Sequence, residues 1–153
     1  DHRVKAGEDA DASLFVSLHM NKIRDRRHRG IVVYAFGRGP GRRGARRRRP
    51  GLAFLPNPPR EQVRTSAKLA DRVVRSLRSE GFEAEAGRGA YYVLKGPEAP
   101  SILIEMGFLS NPGEAALLVD PAYQERLASA IARSLTKFLA ARGDLPAVQL
   151  AHR

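Results

Sequence analysis

Three short apolar runs, at residues 14–19, 31–36 and 101–105, constrain the fold more than any other feature of this sequence. Each is nearly continuous rather than alternating, the pattern of a strand covered on both faces. The run at 91–94 reads as a fourth strand. Helix signals lie between and after them. Val63, Ala67, Ala70, Val74 and Leu77 share one face of a helix predicted over 61–80, with Gly81 placed to end it. Asn111-Pro112-Gly113-Glu114 carries an N-cap, a proline at the first helical position and a glutamate at the third, and opens a short helix to about Leu118. Asp120-Pro121 repeats the signal. It opens a helix over 121–142 with Tyr123, Leu127, Ile131, Leu135 and Phe138 on one face, closed by Gly143. Residues 3–12 read as a weakly periodic helix. Strands alternating with helices predict an α/β fold of three layers, a central mostly parallel or mixed sheet flanked by helices.

Composition narrows the chemistry. With 42% hydrophobic and 28% charged residues, the 153-residue chain is not disordered throughout. No apolar run reaches the roughly 18 residues of a membrane-spanning helix. The absence of cysteine excludes disulfides, thiolate metal sites and cysteine catalysis. The net charge of +11 is local. From Lys22 to Arg49 there are twelve bases and one acid, Asp25, so the rest of the chain is neutral. A nucleic-acid-binding fold spreads its charge over a folded face, so no nucleic-acid partner is expected. Residues 37–51, rich in Gly, Pro and Arg, read as a basic loop insertion. The arginines from Arg42 to Arg49 could contact an anionic polymer. They could equally be a solvated loop, and no aromatic residue is interleaved for stacking on bases.

Two residues stand out as chemical candidates. His19 ends its apolar run where α/β sheets place ligands, and imidazole is a metal ligand or an acid/base group. The plainer reading is a surface histidine at a strand end. Glu105 sits inside the apolar and small residues 101–109. A carboxylate there is costly to bury unless it is paired, protonated or near a cation, and burial would raise its pKa towards that of a general base. The plainer reading is a strand-end glutamate whose head reaches water. If the two strands run parallel, His19 and Glu105 share one sheet edge. His2, His28 and His152 read as solvated side chains, and the GxG triplets at 37–39 and 87–89 as turns.

The block Leu14-Phe15-Val16-Ser17-Leu18-His19-Met20-Asn21, with His19 sixteen positions after Arg3, resembles the "DLFVSIHAN" block of zinc-dependent N-acetylmuramoyl-L-alanine amidases, bacterial cell-wall hydrolases. Residues 100–111 (PSILIEMGFLSN) resemble that family's "PAVLVELGFLSN", and residues 30–34 its "G-x-E-x-Y" strand. The resemblance runs from Arg3 to Leu139. It implies that His19 is a zinc ligand and Glu105 the catalytic glutamate, with Asn21 a substrate contact. Zinc would lower the pKa of its water and polarise the lactyl carbonyl of muramic acid. Glu105 would take the water's proton and return it to the leaving amine of L-alanine.

The resemblance also implies peptidoglycan as substrate and a periplasmic or extracellular location. The family's "DxGHGG" histidine and its glutamate ligand precede the position of Arg3. The remaining ligands are therefore expected upstream, and the domain over 1–143 is expected to lack its first strand and helix, with 144–153 a tail. Such a fragment could be inactive alone, and an exposed sheet edge would follow. The alternative is a non-catalytic module that binds cell-wall polymer or other anionic partners through the arginine loop.

Overall fold

In the computed structural model the described residues are 9–37, 56–96 and 98–144. Their order is β1 (Phe15–Asn21), β2 (Ile31–Phe36), α1 (Arg60–Ser79), β3 (Ala84–Gly89), a 3-10 turn (Tyr92–Leu94), β4 (Ser101–Phe108), α2 (Pro112–Leu118) and α3 (Pro121–Arg142). The three long apolar runs are strands, as their sequence predicts. Most of the basic insertion, residues 3–8 of the N-terminal helix read over 3–12, and the tail past Asp144 lie outside the described residues.

The strands form one mixed sheet in the order β1-β4-β2-β3. β1 runs parallel to β4 and β2 parallel to β3, while β2 and β4 are antiparallel. One face of the sheet carries Ile31, Val33, Ala35, Ile102 and Ile104, which pack with α1 and α3 into the main core. On the other face Leu103 packs with Val93 and Leu94 of the 3-10 turn, and Phe15, Tyr34 and Phe36 lean against them. β1 forms an edge of this sheet, and its Leu18 and Met20 are about half exposed.

Two expectations need correction. Tyr92–Leu94 is a 3-10 turn, not a strand, with Leu94 N–H donating to the Tyr91 carbonyl and Lys95 N–H to that of Tyr92. Its neighbours Val93 and Leu94 are both buried. Consecutive residues of a strand point to opposite faces, so a tight turn is what lets both point inward. The triplet Gly87-Arg88-Gly89, read as a turn, belongs to β3, paired with β2 from Ile31↔Ala84 to Phe36↔Gly89. A Cβ on Gly87 would lie 2.5 Å from the Tyr34 ring, and one on Gly89 2.3 Å from the Tyr91 ring. Both glycines therefore make room for tyrosine rings lying over the strand.

The helices follow their patterns with one shift. In α1 the buried stripe is Ser66, Leu69, Ala70, Val73, Val74 and Leu77, while Val63 and Ala67 stay at its rim. Ser66 belongs in the stripe because its hydroxyl accepts the buried Ser101 N–H at 2.9 Å. The end of α1 is a Schellman motif. Gly81 has φ 82°, Gly81 N–H donates to Arg78 O, and Phe82 N–H donates to Leu77 O.

At α2 the Asn111 side chain accepts from the N–H groups of Gly113 and Glu114, a true N-cap. Glu114, however, does not return to the cap as a capping box requires. Its Oε1 accepts from Gly30 N–H at 2.6 Å and its Oε2 from Phe108 N–H at 2.7 Å. One carboxylate thus ties the start of β2 to the end of β4. Hydrogen bonds to a charged acceptor contribute about 1.5–3 kcal/mol each. Glu114→Ala is expected to lower unfolding free energy by about 2–4 kcal/mol in urea denaturation. A loss under about 0.5 kcal/mol, the usual range for a surface substitution, would contradict the bracing role.

Candidate active site

The parallel pairing of β1 with β4 sets Phe15 beside Ser101, Ser17 beside Leu103 and His19 beside Glu105. The antiparallel pairing sets Val32 on the other side of Glu105 and Tyr34 beside Leu103. Paired residues point to the same face. His19 and Glu105 therefore share the face opposite α1 and α3, at the carboxyl ends of two parallel strands. The pairing then slips: Asn21, two residues past His19, aligns with Phe108, three past Glu105, so β4 bulges just beyond the pair.

Each side chain has a distinct environment. His19 is half-buried, and its Nε2 shares a 2.8 Å hydrogen bond with the Ser17 hydroxyl, two residues back on the same face. That contact orients the ring. Glu105 is 8% exposed, and its Oε2 is buried with no hydrogen-bond partner among the described residues. Burial raises its pKa above the ordinary carboxylate value, while neighbouring His19 pulls it the other way. Tyr34, half-buried with its ring 5.0 Å from that of Tyr91, has its phenol pushed up to about 12 by burial, then by Tyr91 and the Glu105 and Glu85 charges. It stays a neutral hydroxyl at any physiological pH.

The other sequence candidates are placed as follows. Asn21 is half-buried at the bulge, and its carbonyl accepts from Leu109 N–H at 2.7 Å. His28 is an exposed side chain, as read. Its Nδ1 lies 3.6 Å from Asp25 and its ring is 5.8 Å from that of Phe108. His2 and His152 lie outside the described residues. The sequence reading missed Ser17 and Tyr34. Alternation along β1 signals Ser17, whereas only the order of strands in the sheet brings Tyr34 close.

The pair can do two kinds of chemistry. A histidine nitrogen suits zinc, and a carboxylate of raised pKa suits proton transfer from a nearby water. A buried carboxylate oxygen lacking a donor is costly, and a cation close by would offset that cost, so the donors present fit a metal centre. Among the described residues no group of three or more His, Cys, Asp or Glu is gathered, and catalytic zinc normally takes three protein ligands.

A family model described as N-acetylmuramoyl-L-alanine amidase matches residues 1–137. The germination-specific N-acetylmuramoyl-L-alanine amidase of Bacillus subtilis is 28% identical over 144 residues, 94% of this chain and 52% of that protein. The N-acetylmuramoyl-L-alanine amidase AmiC of Neisseria meningitidis is 26% identical over 90% of this chain and 38% of its own length. The chain thus spans about half or less of these relatives. Among solved structures, the CwlD amidase of Clostridioides difficile, in complex with the GerS lipoprotein, superposes with TM-score 0.66 at 26% identity, covering 91% of this chain and 60% of that one. The Ami1 amidase of Mycobacterium smegmatis shares the fold at TM-score 0.71 and 21% identity, covering 92% of this chain and 60% of that one.

The raised pKa of Glu105 has a stability consequence. A carboxyl whose pKa is higher folded than unfolded stabilises the fold below the unfolded value and loses that contribution as pH rises through the folded value. Glu105→Gln removes the loss. In metal-free buffer the variant is expected to melt above the parent at about pH 7, the difference closing by about pH 4. A variant less stable than the parent at neutral pH would contradict the burial of an unpartnered charge.

Proposed function

Because the chain belongs to the N-acetylmuramoyl-L-alanine amidase family, we propose that it forms the catalytic part of an enzyme hydrolysing the amide between N-acetylmuramic acid and L-alanine in peptidoglycan. The observation that carries this reading is the register His19↔Glu105, which sets an imidazole beside a buried carboxylate with an unpartnered oxygen. In this reading the domain runs to Gly143. Its work is outside the cytoplasm, in the periplasm or beyond the cell, where peptidoglycan lies. Among the described residues no helix is long and apolar enough to cross a membrane.

His19 would hold zinc, its ring steadied by the Ser17 hydroxyl, and the remaining ligands would come from residues other than those described. Zinc, when bound, supplies Lewis acidity to the attacking water and to the carbonyl under attack. Glu105 accepts the water's proton. Burial raises its pKa above the ordinary carboxylate value, which favours its holding that proton before passing it to the departing amine of L-alanine. Asn21, at the bulge beyond the pair, is the candidate contact to the substrate. Arg42 to Arg49 are the candidate contact to an anionic wall polymer.

The run of arginines from Arg42 to Arg49 supports a second reading, a non-catalytic module that binds wall polymer or other anionic partners through that loop. The test is release of new amino-terminal L-alanine from purified peptidoglycan by the full-length protein. Positioned proton transfer contributes about 10²–10⁴-fold, so Glu105→Gln should lower the rate by that factor while leaving sedimentation with peptidoglycan unchanged. An undiminished rate would remove Glu105 from the base role. A parent protein that sediments but releases no alanine would leave the binding reading standing.

A further inference from the structure

The outer surface of the two long helices carries a feature that the amidase reading does not use. On α1, Arg64, Lys68, Arg72 and Arg75 recur at spacings of four, four and three, one helical face. Between α1 and α3 this row borders a cavity of about 370 Å³ lined by Arg72, Arg75, Ser76, Ser79, Ser134 and Lys137. No carboxylate lines it. Among the described residues Arg72, Arg75 and Lys137 form no ion pair, whereas Arg133, just before Ser134, is paired with Glu80. Asp71, the acid next to Arg72 in sequence, pairs with none of them. Ser134 is 1% exposed, and its hydroxyl has no hydrogen-bond partner among the described residues. A helical serine normally bonds back to a carbonyl of the preceding turn, as Ser79 does to Ser76 at 2.8 Å.

We propose that this groove between α1 and α3 binds a phosphate group. Three cations from two helices, with no carboxylate lining the groove, make it electropositive and suited to an anion. Two guanidinium forks, an ammonium and hydroxyl donors present more hydrogens than the two oxygens of a carboxylate accept, whereas a phosphate offers three or four oxygens and a larger charge. Rotation of Ser134 about χ1 would turn its idle hydroxyl towards the ion. The groove is open to solvent, so the alcohol to which the phosphate is esterified can extend outside it. The group could be free or carried on a lipid headgroup, and the probes below separate the two. This inference is independent of the chemistry at Glu105.

The full 153-residue chain is titrated with inorganic phosphate, with glycerol 3-phosphate, and with phosphatidylcholine vesicles with and without phosphatidylglycerol. Backbone amide NMR and calorimetry follow the soluble ligands, and co-sedimentation follows the vesicles. The soluble phosphates should shift the amides of Ser76 and Ser134 saturably. The triple variant Arg72→Gln, Arg75→Gln, Lys137→Gln should weaken binding at least about tenfold, and Ser134→Ala by about two- to fivefold. A variant with Arg46, Arg47, Arg48 and Arg49 replaced by Gln should keep the phosphate-induced shifts of the Ser76 and Ser134 amides, because the loop contributes to vesicle attraction and not to the groove. Lys137→Glu, a single exposed change, gives a second reading of the site should the triple variant fold poorly. Binding of phosphatidylglycerol vesicles alone, lost in the groove variants, would identify the headgroup as the source. No binding of any probe, or phosphate-induced shifts lost only in the loop variant, would overturn the proposal.

Discussion

The carboxylate of Glu114 holds two ends of backbone at once, the N–H of Gly30 where β2 begins and the N–H of Phe108 where β4 ends. β4 lies between β1 and β2, so whatever fixes its end fixes both of its registers. The brace extends outward. Asn111 caps α2, and its amide also donates to the His28 carbonyl, so the segment before β2 is held to the same corner. The corner adjoins the bulge that follows His19 and Glu105. Proton transfer needs groups held within hydrogen-bond reach, and a site on two adjacent strands with a pinned end is held more firmly than one on loops.

The sheet has two unlike faces, and the difference decides where chemistry can occur. Against α1 and α3 the face is apolar, and no charged residue enters its core cluster. On the opposite face the alternation of β4 buries Leu103 and, two residues on, Glu105. The fold meets the desolvation of that carboxylate only in part, leaving one oxygen unpartnered and the pKa raised. Buried groups left in this condition recur at sites that bind or react, because the local cost is recovered when a ligand or cation arrives.

Much of this was legible in the sequence because the relevant signals are local. The apolar runs identified three strands, Gly81 and Gly143 closed the long helices, and residues 14–21 and 100–111 carried the family resemblance. His19 and Glu105 could be placed on one edge as soon as the strands were taken as parallel. The parts that stayed hidden depend on distant partners. β3 has almost no apolar residues and exists through pairing with β2, and its Gly87 is explained only by Tyr34, a residue of β2. Glu114 obeys the local capping pattern yet spends its carboxylate on Gly30, 84 residues away. Charge was misleading in a similar way. Outside residues 22–49 the chain sums to zero, yet Arg72, Arg75 and Lys137 gather without an acid because α1 and α3 pack side by side.

The central claim is that His19 and Glu105 flank a metal-dependent hydrolytic centre, and metal content tests it most directly. The full-length protein and its His19→Ala variant are stripped with chelator, reloaded with zinc and compared for stoichiometry and affinity. The account predicts about one tightly held zinc per chain in the parent and a loss of one ligand's share of affinity, at least about tenfold, in the variant. Zinc held equally well without the His19 imidazole would contradict it.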